Sequence, residues 1–175
     1  DLIGMYLSAH PLDEYEFEIN HVCNCTTVDL KDLAPLKAKG LKIGGMVTGF
    51  RHGTSKAGNP YGIFTLEDYA GAFEFALFGK NYIEFGKYMI KDLYLYISAT
   101  VQEKGADYKF KKPSDPNIPA ELEIKIQKIE VFNEIKDKLI NTLTLTIPLQ
   151  QLTEDYAVEL TDMVMNNKGN VNLYV

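Results

Sequence analysis

The sequence lacks the long apolar runs and the cysteine framework that mark membrane and disulfide-stapled proteins. No stretch approaches the ~20 consecutive apolar residues of a membrane-spanning helix. The 2 cysteines, Cys23 and Cys25, are separated by one residue and give no disulfide framework, which favours a reducing compartment, by default the cytoplasm. His21 lies close to them, but no second ligand pair at zinc spacing follows, so we expect no metal site.

The sequence also has little of what an enzyme active site requires. The 3 histidines, His10, His21 and His52, lie in three different segments. No closely spaced carboxylates on a predicted strand are suited to hold two metal ions, no glycine-rich phosphate loop contains a lysine, and no nucleophile has a nearby base. We therefore expect no catalysis from this chain on its own, and no cofactor in it.

Positive charge is scarce over the whole chain but not in its middle. The formal net charge of −6 argues at first against a nucleic-acid partner. Residues 41–132, however, carry 12 lysines and arginines against 11 acids, whereas the remainder carries 6 against 13. Because a local basic stripe matters more than total charge for binding phosphates, the middle of the chain is the candidate for nucleic-acid binding.

The first forty residues predict helices and a connector. The chain starts at Asp1 without a basic leader or an apolar signal segment, which suggests a piece of a longer protein. A short helix is predicted before Pro11, and a second one after it. The polar and apolar residues that alternate up to Gly40 suit a connector, so we place the first domain boundary there.

From Leu41 the apolar period changes to two, which predicts strands. Five strands are predicted, at 43–50, 61–66, 72–78, 93–101 and 122–131. A helix over 81–88, capped by Asn81, is predicted between the third and the fourth strand. A tight turn over 67–71 makes the second and third strands a hairpin. The pair Gly44-Gly45 permits a bulge or sharp bend, through which the first strand serves both halves of a barrel. This order is the plan of an OB-fold barrel.

After residue 132 the pattern predicts a small α+β unit. It consists of a helix over 133–142, a strand over 143–149, an amphipathic helix over 153–166 and a last strand over 170–175. Thr153 suits the start of the amphipathic helix and Gly169 follows its end. The predicted fold class is mainly β with α. We predict three parts: a helical segment and linker over 1–40, an OB-fold nucleic-acid-binding domain over 41–132, and a partial C-terminal subdomain over 133–175.

Both loops that flank the ligand face of an OB fold are basic in this sequence. The loop after the first strand offers cations and hydrogen-bond donors, namely Arg51, His52, Thr54, Ser55, Lys56 and Asn59. The loop between the fourth and fifth strands interleaves lysines with aromatic rings, namely Lys104, Tyr108, Lys109, Phe110, Lys111 and Lys112. Lysine attracts phosphate and aromatic rings stack on bases, so the alternation suits a single strand of nucleic acid. A merely solvated lysine-rich loop is the alternative.

Four phenylalanines lie in the second and third strands, at Phe64, Phe73, Phe75 and Phe78. Half of each strand must point into the barrel, so we expect these rings to be mostly core. We expect one of the four to be exposed and able to stack on a base.

Four ordered stretches carry a resemblance to a known family. They are Gly4-Met5-Tyr6-Leu7-Ser8-Ala9-His10-Pro11-Leu12-Asp13, Gly62-Ile63-Phe64-Thr65-Leu66-Glu67-Asp68, Gly71, and Phe73-Glu74-Phe75-Ala76-Leu77-Phe78. In this order they resemble the alpha subunits of bacterial DNA polymerase III, the C-family replicative polymerases, over about residues 1–132. Ala9 stands where the family usually has glycine, and the later residues are only weakly similar to the start of the family's tail domain.

The resemblance implies a parent chain that is a DNA-directed DNA polymerase, a nucleotidyltransferase whose metal-holding acids lie upstream of this piece. It implies that the OB fold guides single-stranded template DNA in the replisome, next to the other polymerase domains. It also implies that residues 133–175 are part of a docking surface for the clamp-loader tau subunit, so a protein-docking module with little DNA binding is the alternative. An anticodon-binding barrel of a tRNA ligase is disfavoured, because nothing after residue 133 resembles a synthetase core.

Overall fold

A computed structural model describes residues 11–105, 121–139, 141–169 and 171–175 of the protein. The chain forms two compact units, residues 1–134 and residues 135–175. Across the described ranges, no helix combines the length and the apolar character that crossing a bilayer requires. The predicted division at residues 40 and 132 stays a prediction.

Five antiparallel strands form one sheet in the first unit. In chain order the α-helices and strands up to residue 139 are α1 Glu16–Val22, β1 Gly40–Thr54, β2 Pro60–Glu67, β3 Ala72–Phe78, α2 Gly79–Phe85, β4 Tyr94–Glu103, β5 Leu122–Val131 and α3 Phe132–Leu139, and the boundary between the two units falls inside α3. The strands lie in the order β3-β2-β1-β4-β5, so β3 and β5 are the edges of the described sheet. Five strands with a helix between the third and the fourth confirm the predicted OB-fold class, mainly β with a few helices.

Strand β1 belongs to both halves of the sheet. Its residues 40–46 pair with β4, and its residues 46–54 pair with β2. The predicted bulge at Gly44-Gly45 is misplaced, because the register shift lies between Val47 and Gly49. Gly45 instead permits the close approach of β1 to β2, since a Cβ there would lie 2.6 Å from the backbone carbonyl oxygen of Glu67.

The core lies on the inner side of the sheet, at alternate positions of its strands. Its buried side chains include Leu41, Ile43, Val47, Phe64, Leu66, Phe75, Leu77, Leu95, Ile97, Ala99, Ile126 and Ile129. The two isoleucines of β5 share this side despite their odd spacing, because a register shift opposite Ser98 and Ala99 leaves Gln127 as an extra residue. A fully buried side chain of this size contributes about 1.5–3 kcal/mol, so this layer is the main source of stability.

Helix α2 packs against β2 and β3 and buries Phe85 in the core. A Cβ at Gly62 would lie 2.5 Å from the Sδ of Met89 and 2.8 Å from the Tyr82 ring, so the glycine permits this close approach. The prediction that Asn81 caps the helix is wrong, because the helix begins two residues earlier and its start has no side-chain cap.

Residues 11–36 include segments that cover the outer side of β1 and β4. Tyr15 packs against Tyr94 and Phe132, with ring centroids 4.9 and 5.2 Å apart. A Cβ at Gly44 would lie 2.8 Å from the Sγ of Cys23, so the glycine lets the segment contact the sheet backbone. The helix predicted after Pro11 is present as α1, whereas the one predicted before it lies outside the described residues.

A buried pair of polar residues fixes this segment to the turn between β2 and β3. The backbone N–H and the hydroxyl of Thr27 both donate to the Asp68 carboxylate at 2.7 Å. The same carboxylate accepts from the N–H groups of Ala70 at 2.9 Å and Gly71 at 3.0 Å. Both Thr27 and Asp68 are buried, so the carboxylate anchors the turn and the segment together.

The second unit contains β6 Thr142–Thr144, α4 Glu154–Asn166 and β7 Asn172–Tyr174, and β6 runs parallel to β7. The Thr153 side chain accepts a hydrogen bond of 3.2 Å from the Tyr156 N–H, which confirms the predicted helix start. The strand predicted over 143–149 is shorter than expected, because β6 ends at Thr144 and residues 149–151 form a 3₁₀ turn.

Candidate nucleic-acid interface

The outer face of β1, β2 and β3 carries three cross-strand rows of side chains. The register sets these rows as Gly53–Tyr61–Phe78, Arg51–Ile63–Ala76 and Gly49–Thr65–Glu74. Directly opposed residues of antiparallel strands point to the same face, and the residues between them on β2 and β3 are buried. Successive rows along a strand lie about 6.6–6.8 Å apart. The three rows define what we call the outer face.

The first row contains two neighbouring aromatic rings, the half-buried Tyr61 and the exposed Phe78. The Tyr61 ring lies over Gly53, where a Cβ would come within 2.6 Å of the ring, and its centroid is 5.7 Å from that of Phe78. Phe78 is 61% exposed, whereas Phe64 and Phe75 are buried and Phe73 is half-buried, which confirms that one of the four phenylalanine rings is exposed. Its stacking on a base stays a prediction. Tyr61 was missed by sequence reasoning, although its position out of phase with the buried Phe64 places it on the opposite face of the strand from the core.

The other two rows contain an ion pair that spans β2. The Arg51 guanidinium on β1 donates to the Glu74 carboxylate on β3 at 3.5 Å, with side chains 63% and 57% exposed. An exposed pair of this kind contributes little to stability, about 0–1 kcal/mol. It lies over a groove of about 220 Å³, lined by Gly49, Phe50, Arg51, Ile63, Thr65 and Glu74. Arg51 and Glu74 are therefore both accessible, and each can exchange its hydrogen bond with the other for one with a ligand.

His52 points away from the outer face, although it follows Arg51 directly. It lies opposite Gly62 in the ladder, and its Nδ1 shares a hydrogen bond of 2.9 Å with the Tyr82 hydroxyl on α2. Its ring contacts Phe50 edge to face, with centroids 5.5 Å apart. The sequence places Arg51 and His52 in a loop, but both are strand residues because β1 continues to Thr54, so they lie on opposite sides of the strand.

The loop between β1 and β2 is a tight five-residue connection held by its own polar groups. Ser55 N–H donates to the Asn59 carbonyl at 2.8 Å, and Asn59 N–H donates to the Ser55 hydroxyl at 3.1 Å. Thr54 ends β1 opposite Pro60. Lys56 is exposed near the tip, so among the predicted loop residues it is the cation that the structure presents to solvent there.

In the second predicted loop, Lys104 lies within the described residues, whereas Tyr108, Lys109, Phe110, Lys111 and Lys112 lie outside them. Lys104 Nζ is 2.8 Å from Glu121 Oε1, and this hydrogen bond and charge raise the pKa of Lys104. The ladder places Lys104 beyond the Gly40 end of β1 and Lys56 beyond its Thr54 end. The prediction that both loops hold one strand of DNA stays a prediction.

The two cysteines line a separate cleft of about 360 Å³ between the segment after α1 and the β2–β3 turn. Burial raises the pKa of the Cys23 thiol to about 12 and that of the Cys25 thiol to about 11. Both thiols are therefore protonated near neutral pH and are poor nucleophiles and metal ligands. No cluster of three or more histidine, cysteine or acidic side chains fit for a metal occurs in the described part of the chain.

Comparisons with known proteins agree with this architecture. The family profile described as "OB-fold nucleic acid binding domain" matches residues 41–132. DNA polymerase III subunit alpha of Haemophilus influenzae is 26% identical over 178 residues, which cover 99% of this chain and 14% of that protein. The Escherichia coli K12 protein of the same name is 33% identical over 102 residues, 58% of this chain and 9% of that protein. These matches confirm the resemblance to the alpha subunits, and this chain spans about one seventh of their length.

Among solved structures, Entamoeba histolytica asparaginyl-tRNA synthetase, in complex with asparaginyl-adenylate, shows a weak likeness. It is 19% identical, with a TM-score of 0.34 over 81% of this chain and 32% of that one. An overlap of this quality supports no conclusion about fold or function.

Proposed function

Because the chain belongs to the family of OB-fold nucleic acid binding domains, we propose that it binds single-stranded template DNA during DNA replication, as a non-catalytic part of a DNA polymerase III alpha subunit. The similarity to such subunits over nearly the whole chain supports the biological setting. The observation that carries the binding proposal is the outer face, where the exposed ring of Phe78 and the half-buried ring of Tyr61 lie next to an arginine and one end of a basic loop.

The rings and the cations have separate roles in this proposal. Tyr61 and Phe78 stack on bases, which is worth ~1–3 kcal/mol per base and tolerates any sequence. Arg51 and Lys56 attract the phosphates next to that platform, and the lysines between 104 and 112 add positive charge from the second loop. Stacking thus supplies most of the directional contact, and the cations make binding dependent on salt.

A fluorescence-anisotropy titration of labelled oligo-dT at 50 and 200 mM salt tests the proposal. Binding is expected, and it weakens steeply with salt. Phe78→Ala removes a stacking ring and weakens binding about 5- to 150-fold at constant salt. Lys56→Ala reduces the slope of log K against log salt by about 1, and Lys109, Lys111 and Lys112 replaced together by Ala reduce it further.

Two variants away from the outer face serve as controls. Ile83→Ala removes an apolar side chain that is exposed on α2, and Lys91→Ala removes an exposed charge. Neither change is expected to alter oligo-dT affinity by more than about two-fold, because surface substitutions far from a site have small effects. Equal affinities of wild type and Phe78→Ala contradict the stacking role, and a preference for structured tRNA over single-stranded DNA favours the anticodon-binding alternative.

A protein-docking function is the second candidate, and exposed apolar side chains of the second unit favour it. Leu149 is 89% exposed, and Val158 and Met165, one heptad apart on α4, are also exposed. The partner that the family resemblance suggests is the clamp-loader tau subunit. Pull-down of purified tau that is lost on Val158→Asp with Met165→Asp, together with negligible oligo-dT binding, supports this candidate against the first.

A further inference from the structure

The outer face contains an acidic residue, Glu74, although a negative charge weakens the binding of a polyanion such as DNA. The Glu74 carboxylate lies on the edge strand β3, is 57% exposed and repels phosphate. It cannot be explained as a stabilising ion pair, because its contact with Arg51 is long, exposed and worth little. A carboxylate on such a face is useful if it accepts hydrogen bonds from a base.

The surroundings of Glu74 have the size and polarity of a subsite for one base. The groove of about 220 Å³ is lined by the apolar side chain of Ile63 and by the polar side chains of Arg51, Thr65 and Glu74. A Cβ at Gly49 would meet nothing within 4 Å, so this end of the groove is open. Rows of the sheet are about 6.6–6.8 Å apart, so the groove adjoins the Tyr61–Phe78 pair on which a neighbouring base stacks.

We propose that this groove is a base-recognition pocket that prefers guanine, an inference that rests on the proposed binding of single-stranded DNA to the outer face. The pocket presents a cationic donor, Arg51, 3.5 Å from an anionic acceptor, Glu74. The Watson–Crick edge of guanine offers the matching set, with N1–H and N2–H facing the carboxylate and O6 facing the guanidinium. Both interactions are charge-assisted, and such bonds are about twice as strong as neutral ones.

The other bases match this pair less well. Cytosine offers one amino group to the carboxylate, with acceptors for the arginine, and adenine also offers one amino group. Thymine presents a single N–H between two carbonyl oxygens, which repel the carboxylate. The order of affinity is therefore guanine, then cytosine and adenine, then thymine.

Anisotropy titrations of the whole chain with four labelled 12-mers at one salt concentration test the proposal. The oligonucleotides are dT12 and the repeats (TTG)4, (TTC)4 and (TTA)4, so that every binding register offers the test base. The guanine repeat is expected to bind about five-fold more tightly than dT12, the low end for a bidentate contact because the groove is open.

Glu74→Gln separates recognition from simple charge. It reduces the guanine preference below about two-fold while affinity for dT12 rises, because a negative charge leaves the face. Glu67→Gln is the matched control, since Glu67 lies on β2 opposite Ala72, one row beyond the outer face on the same side of the sheet. That variant also raises dT12 affinity but keeps the guanine preference, and neither variant shifts the urea midpoint, because each removes a solvent-accessible charge.

The titrations distinguish a failure of the guanine pocket from a failure of the proposed binding of single-stranded DNA. Tight binding of dT12 with no guanine preference overturns the pocket and leaves the proposed function standing. Absence of binding to all four oligonucleotides overturns both. Preference for the cytosine repeat, or a guanine preference that survives Glu74→Gln, shows that the assignment of guanine to this pair is wrong.

Discussion

Replacing Asp68 by alanine is expected to destabilise the first unit by about 3–5 kcal/mol, because the carboxylate satisfies buried donors at both of its oxygens. The N–H and the hydroxyl of Thr27 donate to it at 2.7 Å inside the protein. Each of these two donors left unsatisfied costs ~1–3 kcal/mol. The N–H groups of Ala70 and Gly71 also lose their acceptor, but they belong to a surface turn where water can replace it.

Equilibrium unfolding in urea measures this loss. Unfolding is followed by far-UV circular dichroism and by tyrosine fluorescence, since the chain has 11 tyrosines and no tryptophan. With a urea slope of about 1–3 kcal/mol per molar, a loss of ~4 kcal/mol lowers the midpoint by more than about 1 M. A midpoint change that corresponds to less than about 1 kcal/mol refutes the view that Asp68 anchors the segment.

A double-mutant cycle shows whether the loss comes from the contact itself. Thr27→Val removes one hydroxyl donor to a charged acceptor at nearly constant volume and is expected to cost about 1.5–3 kcal/mol. Thr27→Ser keeps the donor and is the control, with a cost near ~0.8 kcal/mol for the lost methyl group. If Asp68→Ala and Thr27→Val act through one contact, the double variant costs less than the sum of the single ones by 0.5–3 kcal/mol or so.

Three further expectations concern other parts of the first unit. Gly45→Ala is expected to cost over ~3 kcal/mol in urea unfolding, because its Cβ would lie 2.6 Å from a backbone oxygen that cannot move aside, whereas Gly40→Ala, with nothing within 4 Å, is nearly neutral. Alkylation by iodoacetamide at pH 8, followed by mass spectrometry, is expected to be slow at both Cys23 and Cys25, because burial raises their pKa values to about 12 and 11; rates like those of a free cysteine contradict this. Hydrogen bonds from the N–H and the hydroxyl of Thr26 lower the pKa of Asp29. The stabilising contribution of Asp29 is therefore present above its unfolded pKa of about 3.9 and is lost as the pH falls through the lower folded value. Asp29→Asn is expected to reduce the drop in urea midpoint between pH 7 and pH 3.

The strands could be predicted from the sequence because their signal is local. Phe73, Phe75 and Leu77 alternate with exposed residues, and glycine, proline and aspartate mark the turns. The exposure of Phe78 follows from the same alternation. The helix start at Thr153 was also local, since a cap depends on residues within one turn of it.

The outer face and the anchor at Asp68 could not be predicted, because they depend on contacts between distant residues. Arg51 and Glu74 meet across β2, and Thr27 reaches a carboxylate 41 positions away. Register decides such contacts, and a bulge of one residue changes it without a clear sequence signal. The glycines near the middle of β1 suggested a bulge, but not that it follows Val47.

The sharing of β1 between β2 and β4 also determines how the first unit folds and unfolds. The β2–β3 and β4–β5 hairpins each form between neighbours in sequence, but β1 joins β4 by pairs about fifty residues apart. Closing that long loop is entropically costly and slow, so we expect docking of the β4–β5 hairpin to limit the folding rate. Neither hairpin keeps its core contacts with β1 once that strand leaves, so we expect the unit to unfold in a single cooperative step.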